Sequence, residues 1–226
     1  MLQQRLGLSL PTLKTLGGWS PIDEDTLEAW YQNAVGITLN GSDVSQWADS
    51  STNSYDMVQA TASEQPAYSA GVLTFVPTDT NNLQTTGQVS LTDDFTIGIK
   101  LTPTAFNNVI FADNTTAHEY FKITDSDTIR VRMDGATNQV NLDLDSGTFG
   151  DDYLVITRVS NVLTLWRNGV AQTGTTPTLS GTADIDAIGG RTTALNAYAG
   201  TIKEIQIYSS SSAPLTANVN DRLSTL

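Results

Sequence analysis

Phe95-Thr96-Ile97-Gly98-Ile99-Lys100-Leu101-Thr102 alternates without a break between apolar residues and polar or small ones. Successive side chains of a strand point to opposite faces. Phe95, Ile97, Ile99 and Leu101 therefore line a buried face, and Thr96, Gly98, Lys100 and Thr102 line a wet one. A strand with one dry face belongs to an antiparallel sheet packed on one side. Outward from it, short runs rich in β-branched and aromatic residues recur between turn residues: Val72 to Val76, Val109 to Ala112, Tyr120 to Thr124, Ile129 to Met133, Val140 to Leu144 and Tyr153 to Val159. Asn168-Gly169 sits between Leu163-Thr164-Leu165-Trp166 and Val170-Ala171, and a type I′ hairpin needs positive φ at both of those turn positions. Leu27-Glu28-Ala29-Trp30-Tyr31 opens the first strand after the acidic turn Asp23-Glu24-Asp25. Near the end, Leu215, Val219, Leu223 and Leu226 keep one apolar stripe, which predicts a short closing helix capped by Thr216. The expectation is all-β: a two-sheet antiparallel jelly-roll sandwich of about twelve strands with a short C-terminal helix.

At 226 residues the chain suits one sandwich with a single core. It has no cysteine, which rules out disulfides and thiolate metal sites and suits a reducing compartment. The net charge of -13 repels phosphate backbones and anionic bilayers, so neither nucleic acid nor membrane is an expected partner.

Residues 1–22 differ from the rest. They carry Arg5 and Lys14, no acid, and Leu2, Leu6, Leu8, Leu10, Leu13 and Leu16, while all 24 acids fall in residues 23–226. A signal peptide needs roughly seven or more unbroken apolar residues, and Gly7, Ser9 and Pro11 interrupt this stretch, so export is not expected. Leucines without a period cannot bury one another as a regular element. Residues 1–22 are expected to be a docking arm that fixes the domain of residues 23–226 to a larger assembly.

Three segments, in this order, resemble the laminin-G-like branch of the concanavalin A-like superfamily. The first runs from Leu27-Glu28-Ala29-Trp30 through Val44-Ser45-Gln46-Trp47-Ala48-Asp49-Ser50-Ser51 to Gln65-Pro66-Ala67-Tyr68, although Ser51 and Thr52 stand where glycine is common. The second is Leu163-Thr164-Leu165-Trp166-Arg167-Asn168-Gly169-Val170. The third is Ile188-Gly189-Gly190-Arg191 with Tyr198 through Tyr208. The resemblance implies a jelly roll whose members bind glycans or proteins, with some branches being glycoside hydrolases. With its basic apolar arm, the chain also resembles structural proteins of tailed, especially marine, bacteriophages. That implies a non-enzymatic virion protein, decorating a capsid or associated with tail or neck, assembled in the host cytoplasm. Its arm would meet other virion proteins, and its lectin-like module would meet host-surface glycans; self-association is compatible with this. A bacterial carbohydrate-binding lectin module and a glucanase-like hydrolase are the alternatives.

No catalytic residue is expected. Retaining glucanases of this superfamily place two glutamates on one strand face, and the nearest echo, Asp23-Glu24-Asp25-Thr26-Leu27-Glu28, has Asp in first place and precedes the sandwich. The single histidine, His118, has no partners for nucleophilic catalysis or a histidine metal cluster and is expected in a loop or at a strand end. Laminin-G-like domains often hold calcium, and Asp113-Asn114, Asp125-Ser126-Asp127 and Asp134-Gly135 offer oxygen ligands. None has EF-hand spacing, and solvated turns account for all three, so no cofactor is expected to be obligatory. Trp30 and Trp47 are assigned to the core. Trp166 shares a face with Thr164, opposite Leu163 and Leu165. With Arg167 and Tyr55, it is the candidate glycan or partner contact, unless a neighbouring loop covers it.

Overall fold

The structure, a computed structural model, describes residues 18–114, 120–134, 137–191 and 196–226. Its strands are β1 (Leu27–Tyr31), β2 (Ile37–Asn40), β3 (Asp43–Trp47), β4 (Met57–Val58), β5 (Ala67–Ser69), β6 (Val72–Phe75), β7 (Leu83–Leu91), β8 (Phe95–Pro103), β9 (Asn108–Ala112), β10 (Tyr120–Ile123), β11 (Thr128–Arg132), β12 (Gln139–Asp143), β13 (Asp152–Val159), β14 (Val162–Arg167), β15 (Val170–Ala171), β16 (Ala183–Ile188) and β17 (Gly200–Tyr208). A single α-helix among the described residues, α1 (Ala213–Leu223), closes the chain. Seventeen strands replace the expected twelve because pieces as short as β4, β5 and β15 carry too few residues to show a period.

Two antiparallel layers form the jelly-roll sandwich. The back sheet runs β1-β17-β8-β13-β14-β15, with Ile97 opposite both Ile156 and Ile207. The front sheet runs β2-β3-β4-β7-β16-β9-β10-β11-β12. At one edge β6 pairs with the first half of β17 while β5 reaches β3 through Asp43 and Ala67, so the layers are stitched together. At the other edge Asp145 accepts backbone N–H bonds from Thr173 and Gly174, and Thr175 bonds Asp143, tying β12 to the segment after β15. Between the layers lies the core, where Phe121 meets Phe95 and Phe111 edge-on at centroid separations of 6.2 and 5.9 Å.

The outer face of β8 is not wet. Thr96 is fully buried, and α1 lies across Gly98, packing Leu215, Val219 and Leu223 against Leu27, Trp30, Val155 and Tyr208. Strand alternation identifies the two faces but cannot show that a distant amphipathic segment will cover the second. Trp30 therefore belongs to this outer cluster, and Trp47 to the main core. The helix cap is Ser212, not Thr216. Ser212 has extended backbone, and its Oγ accepts the N–H of Leu215, whereas Thr216 lies one turn in and bonds back to the Ser212 carbonyl. A buried carboxylate latches the helix down: Glu204 takes Arg222 at 2.5 and 2.9 Å, Trp30 Nε1 at 3.0 Å and the Asn33 N–H at 3.1 Å. The Asn168-Gly169 turn has φ of 51° and 79°, as a type I′ hairpin requires. Among residues 18–22, Trp19 packs on the α1 cluster and donates to Glu24 at 2.7 Å. No helix among the described residues is long and apolar enough to cross a membrane.

Candidate functional site

Alternation along the front sheet sends Phe111, Phe121, Ile123, Ile129, Val131 and Leu142 into the core. The intervening side chains must point away from it. Nearest the sheet centre they form a small apolar strip of Val109, Ala112 and Ala187 with Tyr120 against it. The pairing then sets two rows across the strands. Ala112, Tyr120, Arg132 and Gln139 stand opposite one another in one row, and Val109, Lys122, Arg130 and Asn141 in the next. Same-face neighbours on adjacent strands lie about 4.5–5.5 Å apart, so these cations share one patch.

The Arg132 guanidinium lies 4.4 Å from the Tyr120 ring centroid, and its Nε and Nη2 both donate to Gln139 Oε1 at 3.1 and 2.6 Å. Arg130 Nε donates to Asn141 Oδ1 at 3.2 Å. Lys122 lies beneath them and is largely buried. Burial first, then the charges of Arg130, Arg132 and Arg191, push its ammonium below the ordinary lysine range. Arg191 enters from the loop after β16, and its Nε has no hydrogen-bond partner among the described residues, nor has Asn108 Nδ2.

The remaining cations of the described residues are all engaged elsewhere. Lys100 pairs with Asp151 at 2.8 Å, Arg167 with Asp152 at 3.0 Å and Arg222 with Glu204. Lys203 Nζ donates to the Leu226 carbonyl at 3.0 Å. Arg158 is enclosed under the main core, over the Phe95 ring, with its guanidinium donating to the carbonyls of Leu91, Asp93 and Gly181. Like Arg158 and Lys203, Lys122, Arg130, Arg132 and Arg191 make no ion pair with a carboxylate among the described residues. Acidic groups border the patch on the β16 side. The Asp186 carboxyl accepts the Asn114 N–H at 2.7 Å and is pushed up to about 6, chiefly by burial and then by Asp113 and Asp184.

The residues singled out from sequence fall elsewhere. Trp166 is half-buried against the α1 cluster and is covered by that helix rather than by a loop. With Tyr153, Ala213, Ala217, Asn220 and Asp221 it lines a cavity of about 240 Å³. Arg167 braces the 146–148 loop through the Ser146 and Thr148 carbonyls as well as Asp152. Tyr55 packs against the core with its ring over Gly87, and its carbonyl accepts the Tyr31 hydroxyl. Trp166 and Tyr55 thus lie in different parts of the sandwich, and no shared surface joins them. Of the calcium candidates, Asp113-Asn114 follows β9 at one end of β10, and Asp125-Asp127 turns at the other, where the Asp127 N–H bonds Asp125 Oδ1 at 3.3 Å. No group of three or more His, Cys, Asp or Glu among the described residues could hold a metal ion. His118 and the arm residues Leu2, Arg5, Leu6, Leu8, Leu10, Leu13 and Leu16 lie outside the described residues.

Sequence reading missed the front-sheet patch, although the signal was present. Tyr120-Phe121-Lys122 and Ile129-Arg130-Val131-Arg132 put their polar members on one face by alternation, and Lys122, Arg130 and Arg132 lie close together in a chain with only 11 basic residues.

No protein-family model matches the chain, and no curated protein sequence does. Among solved structures it resembles Trypanosoma rangeli sialidase in complex with 2,3-difluorosialic acid, at 12% identity and a TM-score of 0.59, over 96% of this chain and 35% of the sialidase. It also resembles domain 4 of AbnA, a GH43 extracellular arabinanase from Geobacillus stearothermophilus, in complex with arabinotriose, at 14% identity and a TM-score of 0.57, over 86% of this chain and 98% of that domain. The chain thus spans about a third of the sialidase and nearly the whole arabinanase domain. At such identities the likeness is one of fold, and the fold is the two-layer jelly-roll sandwich.

Proposed function

We propose that this chain is a non-catalytic saccharide-binding module whose binding surface is the outward face of the front sheet. The observation that carries this is the gathering there of Lys122, Arg130, Arg132 and Arg191, without carboxylate partners among the described residues, beside Tyr120 and two side-chain amides. Donors held outward on rigid strands, next to an aromatic ring, suit hydroxyl-rich and acceptor-rich ligands. The arabinanase domain of the same fold is solved with arabinotriose, which supports the choice of ligand class. Isothermal titration against a panel of oligosaccharides tests the reading: Tyr120→Ala should abolish binding without lowering the melting temperature. Binding that survives this change but is lost with Trp166→Ala would move the site to the back sheet.

A hydrolytic reading rests on the raised Asp186 carboxyl beside Asp113, since a carboxyl that holds its proton near neutrality suits a general acid. Reducing-sugar release abolished by Asp186→Asn would establish it and overturn the non-catalytic assignment.

The finer role, a bacteriophage virion protein that presents this module through residues 1–22, is supported by the charge contrast between that stretch and the acidic remainder. Deleting residues 2–17 should leave the melting temperature within about 2 °C while abolishing particle incorporation. Normal assembly of the truncated chain would refute the arm's role.

A further inference from the structure

We infer that the front-sheet site selects saccharides carrying a carboxylate or sulfate group, and that Lys122, Arg130, Arg132 and Arg191 together receive that anion. This rests on the reading of the front face as the binding surface. A neutral sugar presents hydroxyls that both donate and accept, and its sites characteristically alternate the two. Here the outward acceptors are already occupied: Gln139 Oε1 takes two bonds from Arg132, and Asn141 Oδ1 takes one from Arg130. What the face still offers is donors, namely the unused guanidinium N–H groups of Arg130 and Arg132, the Lys122 ammonium and the Arg191 side chain. A face on which free donors outnumber free acceptors favours an acceptor-only group.

The electrostatics lead to the same ligand. Four like charges share one patch, and burial first, then the charges of Arg130, Arg132 and Arg191, depress the Lys122 ammonium. An anion seated among them relieves their mutual repulsion, whereas a neutral ring leaves it in place. Arginine forks match carboxylate and sulfate oxygens two at a time.

The surroundings limit the ligand's length. Asp186 precedes Ala187 of the apolar strip and accepts the Asn114 N–H with the Asp113 charge nearby, Asp143 lies at the β12 edge bonded to Thr128 and Thr175, and the whole chain carries a net charge of -13. A continuous polyphosphate would run from the patch into these acids. A single acid group on an otherwise uncharged or sparsely charged saccharide avoids them.

The test uses the full chain and titrates oligogalacturonate and chondroitin sulfate tetrasaccharides against neutral arabinotriose and galactan tetrasaccharide, at low and at moderate salt. The acidic probes should bind at least about tenfold more tightly than the neutral ones and weaken as salt rises. Arg130→Gln and Arg132→Gln should each weaken acidic binding by about tenfold, the loss of one charge-assisted pair. Lys203→Gln, on the back sheet, should change nothing. These side chains point away from the core, so unchanged melting temperatures establish that the variants fold. Equal binding of neutral and acidic probes, lost with Tyr120→Ala but indifferent to the arginines, overturns acid selectivity and leaves the face standing. Failure of every saccharide to bind overturns the reading of the face itself. Displacement of the acidic probes by a short DNA oligonucleotide at comparable concentration would make the site a phosphate-backbone site and refute the proposal.

Discussion

Replacing Gly98 by alanine tests how α1 is seated. The added Cβ would stand 2.4 Å from Val219 Cγ1 and 3.1 Å from Leu223 Cδ1, and no real methyl group tolerates the first distance. The helix cannot simply detach, because Leu215, Val219 and Leu223 are buried beneath it, and exposing three such side chains would cost about 1.5–3 kcal/mol each. The helix must therefore ride outward or β8 must bow inward. Overpacking of this kind costs about 1–3 kcal/mol, and the smaller backbone entropy of alanine in a strand returns about 0.5–1 kcal/mol. The expected net loss is about 0–2.5 kcal/mol, and at roughly 2–4 °C per kcal/mol for a domain of this size the melting temperature falls by up to about 10 °C. Urea denaturation followed by tryptophan fluorescence is well placed to see it, because Trp19, Trp30 and Trp166 all pack in the α1 cluster. Val219→Ala removes the clashing methyl. In a double-mutant cycle the pair should therefore be less destabilised than the sum of the single changes by about 1 kcal/mol or more. Strict additivity in that cycle would refute the close seating of the helix.

Arg222→Met leaves the fully buried Glu204 carboxylate with Trp30, Asn33 and Gln206 as its donors, and should destabilise by about 2–4 kcal/mol in urea denaturation; a loss below about 0.5 kcal/mol would show that the latch carries little weight. Asp186 has a folded pKa raised from the ordinary 3.8 to about 6, so the native state binds the extra proton; its stabilising effect is complete below pH 3.8 and is lost as pH rises through 6. Asp186→Asn should accordingly be more stable than the parent at pH 7.5, by about 1–2 kcal/mol after allowing for solvent screening, with no advantage at pH 3.5; an equal advantage at both would refute the titration. We propose that calcium is not needed for folding: the melting temperature should not move between chelator and millimolar calcium, whereas a folded-state site saturated at about 100 times its Kd would add about 2.7 kcal/mol.

The sequence by itself determined the layers. The alternation of Phe95 to Leu101, the other periodic runs and the Asn168-Gly169 pair specify antiparallel sheets and a type I′ hairpin from local sterics alone, since side-chain period and turn φ are properties of a few consecutive residues. The closing helix was legible for the same reason, although its cap was not, because Ser212 and Thr216 both have the chemistry and only the chain's entry angle selects between them. Tertiary structure decided what lies over each face. Gly98 and Trp166 read as solvent-facing until α1, more than forty residues further along the chain, settles on the back sheet and covers them. The gathering of cations on the front sheet was only partly legible. Tyr120, Lys122, Arg130 and Arg132 fall within runs that read as strands, and Arg191 within the segment that resembles the family's last strands. It is the pairing of β9 to β12, with the return of β16 beside them, that brings the cations together and leaves them without carboxylates among the described residues. Charge in a sequence can be counted, but which charges neutralise one another depends on distances that long-range strand pairing sets.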